Sequence, residues 1–147
     1  MGSATYRIAS QVTPLQASWQ CDLRDNSLTW SEGVYALFGL EPGTPVSRAD
    51  TVAMYLPESR AELERLRSAA IAELGSFTFE AQIRRADGEI RWMRVTADIV
   101  AEDGVARYLY GTKIDVTDEM SERAADLTFT RNDAEPNIMA VLPAAAE

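Results

Sequence analysis

The sequence predicts an α+β fold in which five strands combine with helices. Three observations support this prediction. Two short alternating runs flank the turn residues "RDNS", one long segment has helical spacing, and three further alternating runs are separated by Asp-Gly pairs. Asp-Gly between alternating runs is a strong local signal for a β-hairpin. The last three strands are therefore expected to form an antiparallel meander, and a chain of 147 residues suffices for one domain.

The first part of the chain is predicted to hold a strand pair and a short helix. Trp19, Cys21 and Leu23 share one face of the first strand. Ser31 is placed to cap the helix "EGVYALF", and Gly39 is placed to end it. The apolar residues of this helix are expected to face inward.

The middle of the chain is predicted to contain a loop and two helices. "LEPGTPVSRAD" carries two prolines and a glycine and is interpreted as a loop. Residues 51–55 are expected to form a short helix. The clearest helical pattern lies in "PESRAELERLRSAAIAELG", where Pro57 suits the first turn and Gly75 suits the end.

Side-chain parity assigns an inner and an outer face to the three C-terminal strands. The inner row of the long second strand consists of Met93, Val95, Ala97 and Ile99. The preceding strand adds Phe77, Phe79, Ala81 and Ile83. Burial of such side chains stabilises a fold by roughly 1.5–3 kcal/mol each, which fixes the strand register.

The outer face of the predicted meander is unusually apolar. Its apolar and aromatic residues are Ile90, Trp92, Tyr108, Tyr110 and Ile114. A sheet face rarely presents so much apolar surface to water unless something covers it. We predict a protein interface here, formed with a second copy of the chain or with a different protein. Coverage by the chain's own N-terminal arm or C-terminal tail is the alternative.

Composition excludes several classes of partner. The formal net charge is −9, whereas phosphate backbones are bound by clustered Lys and Arg, so nucleic-acid binding is not expected. No apolar run approaches the roughly 20 residues that cross a bilayer, and the N-terminus lacks the apolar core of a signal peptide. Cys21 is the single cysteine, which rules out an internal disulfide. We therefore expect a cytoplasmic protein.

The chain contains no histidine. This rules out histidine-ligated haem or zinc, histidine-activated nucleophiles and a phosphoacceptor histidine within the chain. No metal site and no catalytic residue is predicted. Carboxylate chemistry stays open at this point, with Asp22 and Asp115 as the conceivable pair.

Three segments carry a family resemblance. They are "WQCDLRDNSLTWSEGVYALFGLEPG", "FTFEAQIRRADGEIRWMRV" and "GTKIDVTDE". In this order and spacing they resemble the opening, central and closing motifs of the PAS domain over residues 17–119. The resemblance implies a five-stranded antiparallel sheet with helices on one face. Residues 1–16 are then an N-terminal arm, and residues 120–147 are a C-terminal helix or flexible tail. As aspartates of the family motifs, Asp22 and Asp115 are expected to make structural hydrogen bonds.

The sequence departs from the cofactor-binding branches of this family. The cysteine motif by which LOV-class photosensors bond a flavin is absent, and Cys21 lies on the first strand. Haem-binding PAS domains commonly use a histidine ligand, which this chain lacks. Neither haem nor a LOV-type flavin is therefore supported, and no cofactor is expected.

The resemblance also implies a cavity between the sheet and the helices. Its candidate lining residues are Met54, Phe77, Phe79, Met93, Val95, Ala97, Leu109, Gly111 and Lys113. Gly111 leaves room for a flat ligand or marks a bulge or a packing contact. Lys113 either binds an anionic ligand or, as we expect from the general behaviour of long cationic side chains, reaches solvent or pairs with a carboxylate.

The resulting functional hypothesis is a non-catalytic PAS module that acts by protein contact in bacterial signal transduction. The resemblance makes sensor histidine kinases natural partners, and the outer sheet face suggests a homodimer. The alternative is a small-molecule sensor that binds a metabolite in its apolar cavity. A small enzyme is the weakest hypothesis, because no acid–base set converges in the sequence and fold alone confers no activity.

Overall fold

The computed structural model describes the backbone of residues 17–133 and the side chains of residues 17–126. The strands are β1 Ser18–Asp22, β2 Ser27–Trp30, β3 Phe77–Arg84, β4 Ile90–Glu102 and β5 Val105–Asp115. The helices are α1 Glu32–Phe38, α2 Arg48–Ala53, α3 Pro57–Glu73 and α4 Thr117–Asp133. The chain divides after Asp115 into a first unit with the sheet and helices α1 to α3, and a second unit with α4.

All five strands form one antiparallel sheet in the order β2-β1-β5-β4-β3. This architecture confirms the predicted sheet and its meander of β3, β4 and β5. Asp103 and Gly104 both have positive φ, at 54° and 78°, which matches the two-residue hairpin turn that Asp-Gly predicts. Among the described helices, none combines the length and the apolar character that membrane crossing requires.

The core lies between the inner face of the sheet and the helices of the first unit. Met93 and Val95 are fully buried and Ala97 is 1% exposed, as side-chain parity predicts. Val34 and Phe38 of α1 are also fully buried. The inner and outer faces of the long strand were therefore predicted correctly.

One predicted helix start and one predicted capping bond are wrong. Helix α1 begins at Glu32, directly after Ser31, as predicted. Helix α2 begins at Arg48, three residues before the predicted start, because the Ser47 hydroxyl accepts a hydrogen bond from the Asp50 backbone N–H at 3.0 Å. The Ser31 hydroxyl makes no capping hydrogen bond to α1. It instead accepts one from the Ser18 backbone N–H at 2.9 Å, which ties β1 to the start of α1.

The end of α3 also differs from the prediction. Leu74, not Gly75, adopts the left-handed conformation that ends the helix, with a φ of 55°. The Gly75 backbone N–H then donates to the Ala70 carbonyl oxygen at 3.0 Å. The predicted helix at the start of the C-terminal tail corresponds to α4. The arm over residues 1–16 and the tail beyond residue 133 lie outside the described residues.

Candidate functional site

A small cavity of about 40 Å³ lies between the inner sheet face and helices α2 and α3. Its apolar walls come from Leu28, Val52, Leu63, Val95 and Leu109. One water position needs about 10–15 Å³, so the cavity has room for a few non-hydrogen atoms. This is far below the roughly 300–1,000 Å³ of drug-sized ligand pockets.

Three of the nine residues predicted to line the cavity do so, namely Val95, Leu109 and Lys113. The other six are not part of its lining, and most of them pack instead. Met93 and Ala97 are buried in the hydrophobic core. Met54, Phe77 and Phe79 are half-buried side chains that pack against that core, with the two phenylalanine rings 6.0 Å apart.

Gly111 is the sixth residue outside the lining, and it marks a close packing contact. A Cβ atom at this position would lie 1.9 Å from the carbonyl oxygen of Thr96 on β4. Trp19 on β1 pairs with Gly111 on β5. The indole Nε1 of Trp19 donates to the same carbonyl oxygen at 3.2 Å. Glycine therefore provides space for backbone and indole rather than for a ligand.

Lys113 extends from β5 into the interior and is only 6% exposed. Its Nζ lies over four aromatic rings, at 5.2 Å from the centroid of Trp19 and 5.3 Å from that of Phe38. The corresponding distances are 5.6 Å to Tyr55 and 5.8 Å to Trp30. An ammonium over aromatic faces is attracted by the ring quadrupoles. We call these four rings the aromatic cage.

The expectation that Lys113 reaches solvent or pairs with a carboxylate is wrong. Within residues 17–126, no carboxylate forms an ion pair with it. Burial lowers the pKa of Lys113 to about 7, with Cys21 opposing the shift and the positive charge of Arg48 adding to it. The only lysine of the sequence is thus buried among aromatic rings, and no countercharge comes from residues 17–126.

Two arginines add positive charge to the cavity wall. Arg48 pairs with Glu64 on α3 at 2.6 Å. Arg67 donates from Nη2 to the amide oxygen of Asn26 at 2.9 Å, so its hydrogen-bond partner is neutral. Within the described part of the chain, no acidic residue belongs to the lining of this cavity. The cavity is therefore electropositive.

Two further polar groups of the lining are deeply buried. The hydroxyl of Tyr55 has no hydrogen-bond partner among the described residues, although Tyr55 is only 1% exposed. Burial raises the pKa of this phenol. Cys21 is 2% exposed, and burial raises the pKa of its thiol. A thiol held protonated in this way is a poor nucleophile.

The aspartates considered for acid–base chemistry both pair with arginines. The carboxylate of Asp22 accepts from Arg24 at 2.6 and 2.9 Å and from the Arg24 backbone N–H at 3.0 Å. These contacts hold the pKa of Asp22 down at about 2. Asp115 accepts from Arg91 at 2.6 Å. Both carboxylates thus make the structural contacts expected of them.

The five residues predicted for an interface lie on the outer sheet face. Tyr110 and Ile114 are 42% and 44% exposed, while Ile90, Trp92 and Tyr108 are half-buried. Val100 adds a further apolar side chain that is 42% exposed. We call these six residues the outer apolar face. An open groove of about 580 Å³ crosses this side of the sheet over β1, β2 and β5.

Sequence reasoning missed most of the cavity wall. Trp19 and Cys21 are recoverable from the parity of β1. Arg48 and Arg67 are not, because a helical arginine in sequence is typical of a solvated surface. The approach of Lys113 to Phe38 and Tyr55 joins segments that are 58 or more residues apart, and no local pattern encodes it.

The comparisons with known proteins agree with this geometry. A family model described as the PAS fold matches residues 27–113, which is more than half of the chain. The chain therefore belongs to the PAS fold family. A sensory box histidine kinase/response regulator from Burkholderia thailandensis has the same fold, with a TM-score of 0.71 at 18% identity. The likeness covers 88% of this chain and 96% of that one.

Two curated relatives are signalling proteins. Sensor protein FixL of Bradyrhizobium diazoefficiens is 24% identical over 109 residues, or 74% of this chain and 22% of that protein. A blue-light-activated histidine kinase of Brucella anthropi is 28% identical over 113 residues, or 77% of this chain and 23% of that protein. The chain spans less than a quarter of the length of either relative. It is a PAS sensory domain of the kind found in signal transduction.

Proposed function

We propose that this PAS domain is a non-catalytic module that transmits signals by protein contact through its outer apolar face. The exposure of Tyr110, Ile114 and Val100 on one continuous sheet carries the proposal. Apolar patches of this kind on soluble proteins mark interaction sites. The groove beside Tyr108 and Tyr110 offers a slot for a partner's side chains.

A second copy of the chain is the occupant that we propose for this face. At its centre the hydroxyls of Thr96 and Thr112 bond to each other at 2.8 Å. Beside them Arg94 and Glu80 form an ion pair at 2.8 Å. Asp98, an exposed carboxylate opposite Tyr110, also lies on this face. A symmetric contact must therefore keep the two Asp98 side chains apart, because like charges brought together at an interface repel.

The signalling partner that we propose is a sensor histidine kinase, with the contact taking place in the cytoplasm. Both curated relatives support this class, since one is a sensor protein and the other a histidine kinase. In this proposal the outer apolar face binds either a second copy of the chain or a PAS domain of the kinase. The two partners replace each other on the same surface.

Tyr110→Ala tests the contact. We expect it to weaken self-association at least about fivefold, since truncation of an interface aromatic commonly costs more than 1 kcal/mol. The measurement is sedimentation equilibrium of the full chain. Val105→Ala is the matched control, because Val105 is 60% exposed and lies outside the outer apolar face. A monomeric wild type, or equal dimers in both variants, would contradict the proposal.

A second candidate function is the sensing of a small molecule in the interior cavity. One observation favours it, namely a buried lysine without a countercharge beside a buried hydroxyl without a hydrogen-bond partner. Buried polar groups are normally satisfied, so the cavity has unused capacity to bind a ligand.

A further inference from the structure

The interior cavity has the chemistry of an anion site. Its wall carries Lys113, Arg48 and Arg67 and no acidic residue. Among the described residues only Arg48 has a carboxylate partner, and the side chain of that partner, Glu64, is 43% exposed. Lys113 and Arg67 therefore border a small, partly open cavity, and no carboxylate within residues 17–126 forms an ion pair with either of them.

The aromatic cage leaves the hydrogen-bonding capacity of Lys113 unused. Ring faces stabilise the positive charge of an ammonium, but they do not replace the oxygen acceptors that its three N–H groups bind. Trp19 and Tyr55, two of the four rings, also line the cavity, so the ammonium lies at the cavity wall. The hydroxyl of Tyr55 is a further donor without a partner.

The remaining walls are apolar and limit the size of a ligand. Leu28, Leu63 and Leu109 offer no polar group to a ligand. A volume of about 40 Å³ holds about three or four water-sized positions. A ligand that fits both the charge and the space has an anionic head of two oxygens and a very short alkyl tail.

We propose that this cavity binds a short-chain monocarboxylate of the size of acetate, with its carboxylate held by Lys113, Arg67 and the hydroxyl of Tyr55. The methyl end packs against the leucine walls. This inference rests on the second candidate function and gives that function a ligand class. It does not depend on the outer apolar face.

Titration of the full chain with sodium acetate tests the proposal. Ionic strength is held constant with sodium gluconate, whose anion is too large for the cavity. The readout is tryptophan fluorescence, since the Trp19 and Trp30 rings lie 5.2 and 5.8 Å from Nζ. We expect a saturable change with acetate and none with acetamide, which has the same shape without the charge.

Substitutions of the lining residues test which side chains bind acetate. Lys113→Met should weaken acetate binding about ten- to hundredfold, the loss expected for a charged hydrogen-bond donor. Arg67→Gln should weaken it as well, which covers the case that Lys113→Met misfolds. Arg65→Met is the matched control, because Arg65 is exposed on the same helix as Arg67 and pairs only with Glu62 among the described residues. Its affinity for acetate should equal that of the wild type.

Three results would overturn the proposal. They are the absence of saturation by acetate in the folded wild type, equal saturation by acetamide, and wild-type affinity in both Lys113→Met and Arg67→Gln. Equal saturation by sodium chloride would overturn the carboxylate assignment. Sedimentation without acetate tests the outer apolar face separately, so failure of one proposal is distinguishable from failure of the other.

Discussion

At Gly111 the packing of three strands depends on a missing side chain. The Thr96 carbonyl oxygen occupies the place of a Cβ atom, and the indole of Trp19 bonds to that oxygen across Gly111. A methyl group here would displace the β4 backbone and break the indole hydrogen bond. Overpacking of this kind typically costs about 1–3 kcal/mol and occasionally more.

Gly111→Ala is therefore expected to lower the free energy of unfolding by about 3 kcal/mol or more. Urea denaturation measures this change. Gly75→Ala is the matched control, because the space around Gly75 is open, and its effect should stay within about 1 kcal/mol. A similar, small effect of both substitutions would show that β4 and β5 do not approach each other at Gly111 as described.

Lys113 makes the stability of the fold depend on pH. Burial lowers its pKa to about 7 in the folded state, whereas an unfolded lysine titrates near 10.4. Between these values the unfolded chain binds more protons, so stability increases as pH rises. Below about pH 7 both states carry the charge, and the full cost of burying it remains.

Lys113→Met removes this cost. We expect the variant to be more stable than the wild type at pH 6.5, and this difference in the free energy of unfolding to shrink by about 2 kcal/mol at pH 8.5. Urea denaturation at both pH values measures the difference in the free energy of unfolding between the two proteins. The titratable groups that both proteins share cancel in this difference. An equal difference at the two pH values would mean that the folded lysine keeps an ordinary pKa.

At the scale of the elements, strands were easier to predict than helix ends. The inner and outer faces of β3, β4 and β5 follow from the alternation of side chains along each strand. Only one strand register buries the apolar row in the core. Helix ends depend on single contacts instead. The hydroxyl of Ser47 starts α2 inside a segment whose prolines and glycine suggest a loop. Leu74 accepts a left-handed conformation that glycine would adopt at lower cost.

The cavity wall was less predictable than the sheet for a related reason. Parity places Val95, Leu109 and Lys113 on the inner face, but it does not say which inner residues border a cavity and which fill the core. That distinction depends on the position of α2 and α3 over the sheet. The countercharge expected for Lys113 is replaced by ring faces from β1, β2, α1 and the segment after α2.

At the scale of the whole molecule, the sheet of the first unit separates two kinds of site. Its inner face borders an electropositive cavity, and its outer face carries the apolar side chains proposed for self-association. Gly111 lies between them, since β5 provides Lys113 to one face and Tyr110 to the other. If both proposed functions hold, β5 is the strand that connects the cavity with the outer apolar face.

Intermolecular distances between spin labels test the central claim, self-association through the outer apolar face, most directly. Cys21 is 2% exposed and stays unlabelled, so single labels are introduced by Thr29→Cys in the outer groove and Arg65→Cys on α3. We expect the Thr29→Cys dimer to give the shorter distance. A shorter distance for Arg65→Cys, or no dipolar coupling for either label, would contradict the claim.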